Sequence, residues 1–309
     1  MRNKKLSLRI IVQYLLILFF TLTSLTTHSK KIALSFDDGL NPQFKSQALI
    51  INQNILDQLK KHQIQTIIFP SLIKIGDYQG KQIIEKWGKS GHIIGNHSAL
   101  HQNLNHANVS VSSYIQSIRD AETILKTLTN FQLIYRYPFL KEGDTLDKRD
   151  QVRHWLIQNN YQNGGVSIDA SDWFYNLKFQ QYSQIKSSDK IQRLKKAYLS
   201  HLLNRAEYYE QLAIKTLQRS PKHVLLLHVN QINAAFLDEV IQNFQNNGWT
   251  MISAKEAFQD PLYQQFSQNI PAGESIIWSI AKSQGLENLR YPAEDAPYEI
   301  ENIQNFGLD

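Results

Sequence analysis

Short apolar runs alternate with amphipathic stretches from residue 30 onward, and this alternation limits the possible folds more than any other feature of the chain. The strand-like runs are residues 32–36, 66–69, 92–96, 133–137, 165–168, 224–228 and 250–253. Between them, apolar residues such as Ile51, Ile55 and Leu59 recur every three or four positions, which is typical of amphipathic helices. The alternation therefore predicts an α/β fold with parallel strands joined by helical crossovers.

Two of these runs lead directly into polar clusters. The first ends in Asp37, Asp38 and Gly39, and the third leads into His97 and His101. Adjacent carboxylates repel each other, so they indicate a cation or proton chemistry at that strand end. Two imidazoles four positions apart share one face of a helical turn, as metal ligands often do. One carboxylate and two histidines leave a coordination position open for water, which is typical of catalytic metal sites.

Each cluster taken alone has a second interpretation. Asp-Asp-Gly is a common turn sequence, because both residue types favour turn geometry. A His-x-x-x-His pair on a surface helix is commonly solvated. Both clusters follow strand-like runs, and this shared position favours a metal site over two unrelated surface features.

Five segments in chain order resemble the motifs of the polysaccharide deacetylase family, also called the NodB-homology or carbohydrate esterase 4 family. They are residues 35–39 (SFDDG), 97–101 (HSALH), 136–139 (RYPF), 169–173 (DASDW) and 226–228 (LLH). Ser35 stands where the family usually has Thr, Gln102 where it commonly has Pro, and Phe139 where it commonly has Tyr. The longer segments 135–145 and 169–176 resemble the bacterial periplasmic branch.

The resemblance implies a distorted (β/α) barrel of about seven parallel strands, with its chemistry at the carboxyl ends of the strands. We expect residues 30–260 to form this deacetylase domain. Residues 261–309 are expected to form a helical C-terminal extension, with a helix near 275–282. Residues 176–220, between the fourth and fifth motifs, keep helical spacing and predict one long helix.

By the same resemblance, the first three motifs imply a metal site and a general base. Asp38, His97 and His101 are expected to hold a divalent metal, with Zn²⁺ favoured and Co²⁺, Ni²⁺ or Fe²⁺ also compatible with these ligands. Asp37 is expected to act as the general base, held in place by Arg136. Considered without the resemblance, Arg136 is also compatible with a surface cation before a proline turn.

The remaining motif residues are expected to supply an acid and a substrate pocket. His228 is the expected general acid, kept protonated by Asp172, because a nearby carboxylate raises the pKa of a histidine. Trp173 and Leu226 are expected to line the pocket for the acetyl methyl group. The backbone N–H of Phe139 is expected to stabilise the oxyanion. Considered without the resemblance, a lone histidine such as His228 after a buried strand is usually a core residue.

Two further histidines, His92 and His106, flank the metal pair. Their offsets do not share its helical face, so we expect both to be structural.

The first 29 residues differ in composition from the rest of the chain. Arg2, Lys4, Lys5 and Arg9 precede an apolar run at 10–20 and a Ser/Thr-rich stretch, a pattern that predicts a signal peptide over residues 1–29. An uncleaved N-terminal anchor is the alternative, although the apolar run is shorter than the roughly 20 residues of a span. We therefore expect export to the periplasm or cell surface of a bacterium.

Composition excludes several other classes of protein. Of the net charge of +6, residues 1–29 carry four basic and no acidic groups, which leaves +2 for the rest and does not favour nucleic acid as a partner. The absence of cysteine excludes disulfides and thiol nucleophiles.

The sequence thus predicts a metal-dependent hydrolase that removes N-acetyl groups from an amino-sugar polymer or oligosaccharide. An O-acetyl esterase acting on a glycan with the same site is the nearest alternative. A catalytically silent glycan-binding module is a further alternative, but such a module does not need both an acid and a base. The interpretation as a membrane-anchored interaction protein depends on the N-terminus alone. The particular glycan and the oligomeric state stay open.

Overall fold

Strand β1 (Lys30–Asp38) lies at the centre of a parallel sheet, and its apolar residues are fully buried. One edge pairs with β7 (Lys222–His228). The other edge pairs with β2 (Ile67–Pro70) near the carboxyl end of β1 and with β8 (Trp249–Met251) near its amino end. The first strand thus carries the Asp-Asp pair into the middle of the structure.

The sheet continues from β2 through β3 (Ile93–Asn96) and β4 (Phe131–Tyr135) to β6 (Gln162–Asn163). This computed structural model describes residues 30–290, Pro292 and residues 298–309, and within them the sheet has seven strands, all paired in parallel. The predicted α/β fold with about seven parallel strands is confirmed. The predicted signal peptide at 1–29 lies outside the described residues.

Residues 162–168 close the sheet into a distorted barrel. They begin beside β4, and Ile168 then makes a single parallel bridge to Leu225 of β7. The N–H of Ile168 donates to the carbonyl of Val224 over 3.1 Å. The prediction of a full strand at 165–168 is therefore wrong. Because this segment leaves β4 after a two-residue pairing and then reaches β7, residues 165–168 form no strand of their own.

Helices connect the strands, and their buried faces join one apolar core with the sheet. In the first of them, Ile51, Ile55 and Leu59 are buried, as their spacing predicted. The helices are α1 (Ala48–Lys61), α2 (Leu72–Ile75), α3 (Tyr78–Lys89), α4 (Val111–Leu125), α5 (Leu146–Gln158), α6 (Asp172–Gln184), α7 (Ser188–Leu217), α8 (Gln231–Asn246), α9 (Ala254–Ala257), α10 (Ile276–Ser283) and α11 (Tyr298–Asn305).

The segment between the fourth and fifth motifs is two helices instead of the predicted single one. Helix α6 ends before Lys186, which has a φ of 53° in the left-handed region, and α7 begins two residues later. A non-glycine residue in that region cannot continue a right-handed helix. The helical periodicity of 176–220 was correct, but it does not reveal the break.

The segment after residue 260 packs onto the barrel. Its strand β9 (Ala272–Gly273) pairs antiparallel with β5 (Lys141–Gly143), and α10 lies where the sequence predicted a helix. Helix α11 packs against α7. Among the helices of the described ranges, none has both the length and the apolar character that a membrane span requires.

Candidate active site

The five motif segments meet in one cleft at the carboxyl ends of the strands. Its volume of about 310 Å³ lies at the lower end of the range of small-ligand sites. The residues that line it are Asp37, Asp38, Lys74, His97, His101, Phe139, Leu140, Trp173, Leu226 and His228. Arg136 and Asp172 are fully buried behind this lining. The structure therefore brings every predicted site residue to one place.

Asp38, His97 and His101 form a compact group of possible metal ligands. Their ligand atoms lie within 4.8 Å of one another, and Asp38 Oδ1 lies 3.0 Å from Nε2 of His101 and 3.9 Å from Nε2 of His97. Asp38 Oδ1 is buried and faces both imidazole nitrogens. A carboxylate oxygen in that position fits a divalent cation.

The segment that carries the two histidines is a loop, so the predicted helical turn is wrong. Ser98 and His101 have φ values of 66° and 50°, which a right-handed helix does not allow. The loop is held by side chains: Asn96 Oδ1 accepts from the Ser98 N–H, and Ser117 Oγ of α4 accepts from two further loop N–H groups. This loop brings the two imidazole centroids to 4.9 Å from each other.

The protonation of His97 suits a metal ligand. Its Nδ1 lies 2.8 Å from the carbonyl oxygen of Arg136, so Nδ1–H donates there and leaves Nε2 to face the ligand group. Burial, together with the neighbouring His101, holds the pKa of His97 well below its usual range. A neutral imidazole is the form that binds a metal.

Asp37 is fixed by a buried arginine. Arg136 Nη1 donates to Asp37 Oδ1 over 2.8 Å and to Ser35 Oγ over 2.9 Å, while its Nε donates to the Gly164 carbonyl over 2.6 Å. The guanidinium also stacks on the Phe69 ring, 4.2 Å from its centroid. Burial raises the pKa of Asp37 to about 6, although Arg136 favours the ionised form. At neutral pH this carboxylate can therefore accept a proton.

His228 and Asp172 form the second ionisable pair of the site. His228 Nδ1 lies 2.6 Å from Asp172 Oδ1, and the His228 backbone N–H donates to Asp172 Oδ2 over 2.8 Å. Burial opposes the charged imidazole, but Asp172, with help from Asp38 and Asp37, raises the pKa of His228 to about 10. Since Nδ1 is engaged, the proton that can be given to a ligand sits on Nε2.

Sequence reasoning missed the residues that hold Asp172. The side-chain amides of Asn230 and Asn233 donate to its Oδ2 over 2.8 and 2.7 Å. Asn230 is the N-cap of α8, and an Asn directly before an amphipathic run is a recognisable helix start. That signal predicts the cap, but it does not predict a contact with Asp172.

Sequence reasoning also missed two contacts near the carboxylate pair, one to Asp38 and one to the arginine that holds Asp37. Lys74 Nζ lies 3.2 Å from Asp38 Oδ2, and Ser35 accepts from Arg136 as described. His101 above all, with His228 and to a smaller extent Lys74, outweighs the effect of burial and holds the pKa of Asp38 below its usual range. The carboxylate of Asp38 is therefore ionised, as a metal ligand must be.

The predicted pocket residues also lie at the cleft. Phe139 and Leu140 have φ values of 57° and 55°, and the Phe139 ring packs edge-on against His101 at 4.6 Å. Trp173 is the second residue of α6, and Leu226 lies in β7, almost fully buried. His92 is buried away from the cleft, where its Nδ1 accepts from the Thr66 N–H over 3.2 Å.

Residues 24–154 match the family model described as polysaccharide deacetylase. This match spans less than half of the chain and confirms the resemblance to polysaccharide deacetylases seen in the five motifs. The barrel and the cleft agree with that resemblance.

Several similar proteins have names that describe peptidoglycan deacetylases. A peptidoglycan-N-acetylglucosamine deacetylase of Bacillus cereus is 31% identical over 144 residues, which are 46% of this chain and 46% of the relative. The peptidoglycan-N-acetylmuramic acid deacetylases PdaC and PdaA of Bacillus subtilis are 23% and 25% identical over 74% of this chain, and over 39% and 71% of their own lengths. The chain thus spans less than half the length of the first two relatives.

A solved structure supports the fold. A carbohydrate esterase 4 enzyme of Streptococcus mutans aligns with 73% of this chain and 86% of its own, with a TM-score of 0.51 and 21% identity.

Proposed function

We propose that the protein is a metal-dependent hydrolase that removes N-acetyl groups from an acetylated amino-sugar glycan. The observation that carries this proposal is that a candidate base and a candidate acid line the same cleft as a three-ligand metal group. Asp37 is paired with Arg136, and His228 with Asp172. A glycan-binding module needs neither pair, so the arrangement favours catalysis.

The candidate ligands fit a divalent ion, with Zn²⁺ favoured because two imidazoles and one carboxylate leave a position open. Held by Asp38, His97 and His101, such an ion supplies the Lewis acid that polarises the acetyl carbonyl and lowers the pKa of water. These ligand residues contribute one ionised carboxylate and at least one neutral imidazole, that of His97.

The remaining steps belong to the side chains and backbone of this chain. Asp37 accepts the proton of the attacking water, while Arg136 keeps its Oδ1 fixed. The Phe139 N–H donates to the oxygen of the acetyl carbonyl as its negative charge develops. His228 Nε2 then protonates the leaving nitrogen, and Trp173 and Leu226 exclude water from around the acetyl methyl group.

The acid favours an amide substrate over an ester. An amine must be protonated before it can leave, whereas many alkoxides depart with less help. A histidine whose pKa is raised to about 10 stays protonated at neutral pH and supplies that proton. The relatives named above are N-deacetylases of peptidoglycan sugars, which makes an N-acetylated cell-wall glycan the first substrate to test. Export to the periplasm or cell surface is part of the same proposal and rests on residues 1–29.

The experiment that tests this function is acetate release from a panel of N-acetylated and O-acetylated glycans by zinc-loaded protein. Release from N-acetylated glycans, lost in Asp37→Asn, is the expected result. Release from O-acetylated glycans alone would make the protein an esterase. No release from either class, combined with glycan binding, would support the binding module.

A further inference from the structure

The loop that carries the expected oxyanion donor has an unfavourable backbone conformation. Phe139 and Leu140, neighbours in residues 138–140 (the oxyanion loop), both have φ values near 55°. Non-glycine residues adopt this region at a cost, and they persist there when the surrounding structure holds them. The cause of the conformation must therefore lie in what contacts this loop.

The C-terminal extension makes a backbone contact with this loop. Residues 272–274, here called the strap, pair antiparallel with the chain that leaves the oxyanion loop, with Gly273 opposite Lys141. The Glu274 N–H donates to the Leu140 carbonyl over 2.9 Å. The Glu274 carboxylate also pairs with the Lys141 ammonium, and both side chains are largely buried.

The approach between strap and loop is close enough to require glycine. A Cβ atom on Gly273 would lie 2.0 Å from the Leu140 carbonyl oxygen, and the φ of Gly273 is +125°. A side chain at this position therefore cannot be accommodated unless the strap or the oxyanion loop moves. The backbone of the strap and the backbone of the loop are in direct contact.

The strap is itself anchored to the barrel from both sides. Before it, Arg153 of α5 donates to the Ser267 carbonyl over 2.8 Å and forms an ion pair with Glu142 at 2.6 Å. After it, the Ile276 N–H donates to the Val166 carbonyl over 2.8 Å, within the segment that closes the barrel. Anchors on both sides make the strap a fixed support for the loop.

We propose that the strap is a positioning element of the active site, which holds the oxyanion loop so that the Phe139 N–H faces the reacting carbonyl. This inference rests on the proposed function, because it assigns a role in acetyl hydrolysis. It gives residues 272–274 of the C-terminal extension a positioning role, although the match to the family model ends at residue 154. Gly273 and Glu274 act through the loop and do not line the cleft.

The test uses full-length, zinc-loaded protein and the variant Gly273→Ala. Its matched control is Gly285→Ala, since Gly285 lies in the same extension, also has a positive φ (+75°), and has open space around a new Cβ. The kinetic constants to compare are kcat and KM for an N-acetyl oligosaccharide and for an activated aryl acetate. Zinc content and melting temperature are measured in the same samples.

The expected result is a fall in kcat of about tenfold or more for Gly273→Ala, by the same factor on both substrates. Both reactions develop the same oxyanion, and loss of a whole oxyanion donor costs roughly 10²–10³ in kcat. KM and zinc content should change by less than about twofold, because the loop holds no metal ligand and the donor acts mainly in the transition state. Gly285→Ala should keep the wild-type kcat.

A second variant tests the role of the strap if Gly273→Ala does not fold. Glu274→Gln keeps the backbone and the shape of the strap but removes the charge that pairs with Lys141, so it should show a smaller loss of the same kind. Wild-type kcat in whichever of the two variants folds would overturn the inference. A loss confined to the amide substrate, or one that follows zinc loss, would also overturn it. Wild-type protein that is inactive on every acetylated substrate would instead overturn the proposed function.

Discussion

The most informative perturbation is the removal of the Asp172 charge beside His228. The two side chains are 2.6 Å apart, and the carboxylate is the main reason that the pKa of His228 rises to about 10 despite burial. In Asp172→Asn the largest attraction is lost, while burial and the weaker attractions of Asp38 and Asp37 remain. The pKa of His228 should then fall toward its ordinary value of about 6.5.

The expected loss of activity follows from the fraction of His228 that carries its acid proton. With a pKa of about 10, about 99% of the histidine is protonated at pH 8. With a pKa of about 6.5, about 3% is protonated at that pH. Hydrolysis of an N-acetyl sugar at pH 8 should therefore fall by up to roughly 30-fold from protonation alone. His228 is in its acid form below its pKa. Because Asp172→Asn lowers that pKa, the alkaline limb of the kcat/KM profile should move to lower pH.

The assay compares an amide and an ester over pH 5–10 with folded, metal-loaded protein. An activated aryl acetate needs little acid help, so Asp172→Asn and the stronger variant His228→Ala should retain much of their activity on it. The matched control is Glu210→Gln, which removes the charge of another buried carboxylate that pairs with a histidine. Glu210 lies 2.8 Å from His223 Nε2, and neither residue lines the cleft. The control should lose stability and keep the wild-type pH profile.

Two results would refute this reasoning. Equal losses on amide and ester in His228→Ala would make His228 a positioning or core residue. An unmoved alkaline limb in Asp172→Asn, with the amide rate reduced, would show that Asp172 orients the imidazole without setting its pKa.

The remaining predictions concern the metal and the base. Elemental analysis of purified protein should find about one divalent ion per chain. His101→Ala should lose this ion, whereas the control His106→Ala should retain it. Metal retained in His101→Ala would contradict the ligand assignment. Asp37→Asn should keep the ion and lose about 10²-fold or more in kcat, whereas Asp38→Asn should lose the ion. The reverse pattern of metal contents would exchange the roles of the two carboxylates.

The sequence by itself determined the local parts of this protein. The alternation of apolar runs and amphipathic stretches fixes strands and helices, because burial on one face follows directly from residue spacing. It also places Asp37 and Asp38 at the end of β1, and His97 just after β3. The motifs can be recognised in the sequence for the same reason, since each is a short contiguous segment.

The tertiary structure alone decided how these parts meet. Arg136 reaches Asp37 across 99 positions of chain, and Asp172 reaches His228 across 56. The loop of His97 and His101 was mistaken for a helical turn, because spacing does not report φ angles that Asn96 and Ser117 impose from outside the loop. The strand expected at 165–168 became a crossing segment, since its pairing depends on neighbours that the chain supplies elsewhere.

The C-terminal extension illustrates the same limit. Its helix α10 was predicted from periodicity, but nothing in residues 261–309 indicates that Gly273 lies against the Leu140 carbonyl oxygen. The physical reason is that local propensity acts over a few residues, whereas packing joins groups that are far apart in the chain. Sequence patterns therefore identified the candidate chemistry, and the long-range contacts gave that chemistry its geometry.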